Sequence, residues 1–129
     1  MNAERDFLDG KKSALTKLKK AKIENKVDAG ILSIIDIINK SEDYYTSSSC
    51  FGRIVLLEIP SIGNKKEAIF LGKWHRTINV EELISTLQNA KNGQLWLLAQ
   101  SPIVHIVTKT NNSADKILKT AIACSLKNS

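Results

Sequence analysis

The chain reads as an α+β domain: two N-terminal helices, then two strand-strand-helix units on a mixed, largely antiparallel sheet. Three observations predict this. Apolar residues recur at helical spacing near the start, at Phe7, Leu8, Leu15 and Leu18 and again at Ile31, Ile34, Ile35 and Ile38. Short, mostly apolar runs bounded by Pro, Gly and Asn follow, at Arg53–Ile59, Ala68–Trp74, Gln94–Gln100 and Ile103–Lys109. Finally, no Gly-rich phosphate loop follows any of these runs, so a doubly wound nucleotide-binding fold has no motif behind it.

The elements can be justified in order. Glu4 to Ala21 forms the first helix, with lysines off the apolar face, and Asn25-Lys26 breaks it. A second helix starts near Val27-Asp28 and ends near Asn39. Asp28 sits where a carboxylate favours the helix dipole, either as a cap or as a site residue beside Lys26. The stretch Tyr44-Tyr45-Thr46-Ser47-Ser48-Ser49-Cys50-Phe51-Gly52-Arg53 is expected to be a loop, because Ser and Thr compete with the backbone for hydrogen bonds. It leads into the buried strand Arg53–Ile59, which Pro60 stops. Ser61-Ile62-Gly63-Asn64-Lys65 reads as a hairpin loop to the strand ending at Trp74-His75-Arg76. Asn79 with Glu82 three residues on predicts a capping box, and Asn92-Gly93 stops that helix. Two more strands, separated by Ser101-Pro102, precede a last helix that begins near Ser113, with Ala114, Ile117, Leu118, Ala121 and Ile122 at helical spacing. Residues 53–92 and 94–126 thus share one order of elements, a possible duplication of architecture.

Composition sets the class. At 129 residues the chain is one domain by length, and 43% hydrophobic content is enough for a buried core. Nineteen basic residues against 13 acidic ones give +6, which suits an anionic partner such as nucleic acid. Seven lysines fall in the first 26 residues, so part of that excess can equally be a solvated helix face. Cys50 and Cys124 are isolated, without the spacing of a zinc site or a disulfide scaffold, and no metal is expected. No signal peptide is present and no apolar run approaches the ~20 residues that span a bilayer. The expectation is an intracellular, cytoplasmic protein with reduced thiols.

Four residue types carry possible chemistry. His75 and His105 are the only histidines; each is either a proton acceptor or an ordinary structural residue. Cys50 with a histidine could form a nucleophilic pair, which geometry alone decides. Arg53 offers a planar fork suited to carboxylate or phosphate. Trp74 and Trp96 either stack on a base or pack against the sheet.

Taken in order, Lys26-Val27-Asp28, Tyr45-Thr46-Ser47-Ser48-Ser49-Cys50-Phe51-Gly52-Arg53-Ile54, Lys73-Trp74-His75, Pro102-Ile103-Val104-His105-Ile106 and Leu126-Lys127-Asn128-Ser129 resemble the successive motifs of the wybutosine-synthesis tRNA methyltransferases, the third enzymes of that pathway. The short form looks archaeal. The resemblance implies an unusual α+β fold, distinct from the Rossmann-type methyltransferases. It also implies S-adenosyl-L-methionine as cofactor, and methylation of N4 of the tricyclic guanine next to the anticodon of phenylalanine tRNA. Family members continue past the Lys-Asn-Ser motif, so residues 1–129 are read as the N-terminal two-thirds of the family domain. Phe51 replaces a small residue, Ser125 stands where Gly is common, and Leu126 where an aromatic is common.

Roles follow from the resemblance together with the chemistry of each group. Catalysis is expected from His75, His105 and Cys50, with a histidine as general base. The cofactor is expected at Ser47, Ser48, Ser49, Arg53 and Asp28. The anticodon arm of the tRNA is expected at Lys22, Lys26, Lys73 and Arg76, with pairing of chains as a homodimer left open. The other readings are a tRNA-binding or scaffold protein without a complete cofactor site, and a module that binds a small anion through the serine stretch.

Overall fold

The computed structural model describes residues 2–61 and 64–126, without the side chain of Lys65. The Lys127-Asn128-Ser129 motif and Ile62-Gly63 of the expected hairpin loop lie outside the described residues. Two compact units divide the chain: residues 1–49 with 104–129, and residues 50–103.

The first unit opens with helix α1, Ala3–Ile23, capped by Asn2, with Glu4 and Asp6 in its first turn and Lys20 and Lys22 in its last. Charges so placed complement the helix dipole. Asn25 ends it in the left-handed region, at φ 54°. The N–H of Lys26 bonds the Ala21 carbonyl (2.9 Å) and that of Asn25 the Lys22 carbonyl (3.2 Å), a complete Schellman stop. A 3₁₀ turn, Ala29–Ile31, leads into α2, Leu32–Lys40. Of the expected apolar stripe, Ile31 and Ile35 are buried, whereas Ile34 is exposed. Phe7 of α1 is buried against Tyr45, with ring centroids 5.2 Å apart.

The hydroxyl-rich stretch corrects one expectation. Residues Tyr44–Cys50 are not a loop but strand β1, paired with the strand Ile103–Thr108. That partner is β5 in chain order. The Lys109 N–H bonds the Asp43 carbonyl, and Ser48 lies against His105, so the two run antiparallel. Backbone pairing with β5 satisfies groups that the hydroxyls would otherwise compete for, and context overrides local preference. Asn39 clamps β1 to α2: its side chain accepts from the Thr46 N–H (2.8 Å) and donates to the buried Thr46 hydroxyl (3.0 Å). Helix α4, Asn111–Ala123, closes this unit, capped by Thr110, whose hydroxyl oxygen accepts from the Ser113 N–H (3.0 Å). It starts two residues earlier than the pattern suggested.

The second unit is a three-stranded antiparallel sheet in the order β3-β2-β4, from Ile69–Trp74, Arg53–Ile59 and Gln94–Gln100. Gly52 enters β2 at φ 96°, and a Cβ there would lie 2.5 Å from the Gln100 carbonyl oxygen, so only glycine fits. A bulge between Leu56 and Leu57 leaves Leu71 without an opposite residue. Val55 and Leu56, on opposite faces of the central strand, are buried. Helix α3, Val80–Leu87, begins with the expected capping box, Asn79 with Glu82.

Two further expectations change. Among the described residues the strands form two sheets, not one. The strand-strand-helix repeat is also only an order of elements: β2 and β3 pair with each other, while β4 pairs with β2 and β5 with β1.

Candidate functional site

In the first unit, a cavity of about 470 Å³ lies between α1 and β1. Its α1 wall is Gly10, Ser13, Ala14, Lys17, Leu18 and Ala21, and its β1 wall is Tyr45 to Ser49. Lys26, Val27 and Ile35 complete it. Volumes of roughly 300–1,000 Å³ are usual for small-molecule sites. The wall mixes small side chains, two lysines and four serines. The Ser49 hydroxyl is buried and has no hydrogen-bond partner among the described residues. A buried hydroxyl without a partner costs free energy, about 1–3 kcal/mol, unless a ligand or water satisfies it.

Strand geometry sends neighbouring side chains to opposite faces, which separates the roles of the serines. Ser48 faces β5, where its hydroxyl lies 2.8 Å from His105 Nδ1. His105 is exposed, not the core histidine that its apolar neighbours could also suggest. Lys26 rims the cavity and pairs with Glu24 at 2.6 Å. Lys22 turns away, pairing with Asp36 at 2.6 Å beside a second, smaller concavity. Asp28 precedes the 3₁₀ turn, and its side chain makes no capping hydrogen bond.

In the second unit, Cys50 Sγ lies 3.3 Å from His75 Nδ1. A thiol and an imidazole at this distance can exchange a proton, the geometry needed for a nucleophile-base pair. Cys50 Sγ also reaches the Gly52 carbonyl oxygen at 3.6 Å. Arg53 donates through Nε to the Gln100 side chain, which fixes the plane of its guanidinium. Lys73 Nζ sits 4.9 Å from the centroid of the Phe70 ring. Arg76 is held by Glu82: Nη1 lies 3.0 Å from Oε2, and Nη2 contacts Oε1 at 2.5 Å. That bond, with the Asn79 N–H second, lowers the Glu82 carboxyl to about pKa 2. Arg76 thus also braces the start of α3. Glu58, buried, accepts from the N–H groups of Gly93 (2.7 Å) and Lys91 (2.9 Å), and these bonds hold its carboxyl below the usual range.

The structure therefore brings Ser47, Ser48, Ser49 and Lys26 to one cavity, His105 to Ser48, and His75 to Cys50. It places Lys22 elsewhere. Sequence reasoning missed the α1 wall. Gly10, Ser13, Ala14, Lys17 and Ala21 recur at helical spacing, a signal that was present but hidden among the lysines.

The family model described as Methyltransferase TYW3 matches residues 9–129. A relative from Thermococcus sibiricus, named tRNA(Phe) 7-((3-amino-3-carboxypropyl)-4-demethylwyosine(37)-N(4))-methyltransferase, is 41% identical over 126 residues, covering 98% of this chain and 64% of the relative. A relative of the same name from Methanocaldococcus jannaschii is 43% identical over 122 residues, covering 94% and 63%. The solved structure of the PH1069 protein from Pyrococcus horikoshii superposes with a TM-score of 0.84 at 40% identity, over 96% of this chain and 64% of that one. The chain spans just under two thirds of the length of these relatives.

Proposed function

Because the chain belongs to the TYW3 methyltransferase family, we propose that it is an S-adenosyl-L-methionine-dependent tRNA methyltransferase of wyosine-derivative biosynthesis. Its substrate is then the tricyclic base beside the anticodon of phenylalanine tRNA, and the methyl acceptor is ring nitrogen N4. The relatives' names motivate the substrate. The observation that carries the cofactor assignment is the α1–β1 cavity with the unpartnered Ser49 hydroxyl in its wall.

The residues present fit the cofactor. Its amino, carboxylate and ribose hydroxyl groups need hydrogen-bond partners. The serines supply both donors and acceptors, and Lys17 supplies a positive charge for the carboxylate. When bound, the cofactor supplies an electrophilic methyl group on a sulfonium. The protein's part is mostly positioning, since an in-line displacement gains most from a fixed approach. We assign Ser47, Ser48 and Ser49 to cofactor binding, Ser47 and Ser49 through their hydroxyls and Ser48 through its backbone and by orienting the His105 ring. Asp28 is assigned to an amino group, and Arg53, its plane set by Gln100, to a carboxylate or phosphate. His75 and His105 are the candidate bases that free the ring-nitrogen lone pair, and Cys50 holds the His75 ring through Nδ1. Lys22, Lys26, Lys73 and Arg76 contact the RNA backbone, an interaction that salt weakens.

Calorimetric titration of the chain with S-adenosyl-L-methionine tests the assignment. Micromolar binding is expected, together with label transfer to phenylalanine tRNA that falls at least tenfold in Arg53→Ala. A folded chain that binds tRNA but not the cofactor refutes the reading in favour of an RNA-binding protein.

A further inference from the structure

The three-stranded sheet has one face whose two large aromatic side chains the methyl-transfer chemistry does not use. Directly opposed residues in an antiparallel ladder point to the same side. The register sets Phe70, Leu57 and Trp96 in one row across β3, β2 and β4. The next row is Lys73, Val55 and Leu98, and Arg53 lies opposite Gln100 beyond it. Phe70 is 53% and Trp96 49% exposed, although both are large apolar side chains. The paired positions on this face carry two cations, Arg53 and Lys73, and no carboxylate. The acidic residue of β2, Glu58, belongs to the other face and is committed to the Lys91 and Gly93 N–H groups.

We infer that this face is a stacking platform for unpaired RNA bases, with Trp96 and Phe70 as the two stacking rings. Two strand spacings of about 4.8 Å put the rings roughly 10 Å apart, so they take two splayed bases and not one. Aromatic rings flanked by cations suit single-stranded RNA, because every base has a face to stack and every linkage a phosphate. Lys73, already over the Phe70 ring, brings a cation to the strand's backbone. A second copy of this chain would bring two more cations against these two and gains nothing from them. The inference rests on the proposal that the substrate is RNA, and gives the sheet the loop nucleotides that flank the target base.

The test uses the 129-residue chain, a ten-nucleotide oligouridylate, and an RNA duplex of equal length. Trp74→Phe leaves Trp96 as the sole tryptophan, and its fluorescence is quenched by the single strand, not by the duplex. Trp96→Ala weakens oligouridylate binding about tenfold, roughly the 1.4 kcal/mol of one stacked base, without changing the salt dependence. Trp96→Phe restores most of it, and Lys73→Ala lowers the salt slope by about one. Unquenched Trp96, or wild-type affinity in Trp96→Ala, overturns the platform. So does sedimentation as a dimer that Trp96→Ala dissociates while RNA affinity is unchanged. Titration of the same samples with S-adenosyl-L-methionine separates the two proposals. Trp96 quenching without cofactor binding removes the methyltransferase reading alone, and cofactor binding without quenching removes the platform alone.

Discussion

Gly10→Ala probes the cavity from its wall. Gly10 lies inside α1, where replacing glycine by alanine raises helix stability by about 1 kcal/mol. The added Cβ, however, would lie 2.6 Å from the Tyr45 hydroxyl oxygen and 3.4 Å from its Cζ. Ordinary contact therefore requires the ring to retreat by about 0.8 Å. The ring is braced on Phe7 and lines the cavity, so it can move only by giving up packing or by narrowing the cavity. Overpacking of this kind costs about 1–3 kcal/mol. Gly10→Ala should therefore be neutral to destabilising by about 2 kcal/mol, and should bind S-adenosyl-L-methionine about tenfold more weakly. Tyr45→Phe removes the nearest atom. In the double variant the closest contact relaxes to Cζ, the helix gain returns as a Tm rise of about 3–4 °C, and cofactor affinity recovers. Thermal unfolding and calorimetry on the four proteins complete a double-mutant cycle. Additive effects, or a stabilised Gly10→Ala with wild-type affinity, refute the argument that Tyr45 couples α1 to the cavity.

Two further outcomes follow from the ends of helices. Ser125 closes α4 at φ 69°, while the Leu126 N–H bonds the Ala121 carbonyl at 2.9 Å, the geometry that favours glycine. Ser125→Gly should stabilise the chain by about 1 kcal/mol in urea unfolding, and a loss would show that the serine side chain holds the turn. Glu82, depressed to about pKa 2 by Arg76 and the Asn79 N–H, stabilises the fold at pH above its ordinary value of 4.5; that contribution is lost as pH falls from 4.5 through about 2. Glu82→Gln should therefore lower Tm at pH 6 and lose that difference near pH 2; a difference that persists there assigns the effect to packing.

Much of the fold was legible because local and tertiary signals agree. Arg53–Ile59 and Gln94–Gln100 are strands with the bounds their apolar runs give, and the Asn79–Glu82 box starts α3 where its residues require. Asn25 halts α1 because asparagine tolerates the left-handed region that the stop needs. Where signals conflict, pairing decides. The run Thr46 to Ser49 favours turns in isolation, but in the fold its backbone belongs to β1 and Asn39 holds Thr46 from α2. The repeat of element order gave no warning that β4 and β5 part company. Strand partners are a property of distant segments, and nothing in the residues of 94–108 names β2 or β1.

The site was legible in its motifs and not in its volume. Serines, Cys50, Arg53 and the two histidines announce polar chemistry at their own positions. The cavity arises from what α1 lacks: glycine, alanine and serine where a core helix would place leucine. Small residues are ordinary helix occupants, so their absence of bulk carries meaning only when β1 is seen to lie opposite. The strand assignment then changes what the serines can do. On a loop, three consecutive hydroxyls could turn toward one ligand together. On β1, alternation commits Ser48 to His105 and leaves the Ser49 hydroxyl buried, without a partner among the described residues. Loss of the Ser48 hydroxyl should therefore disturb the histidine first, and loss of the Ser49 hydroxyl the ligand first, although the two residues are neighbours in one motif.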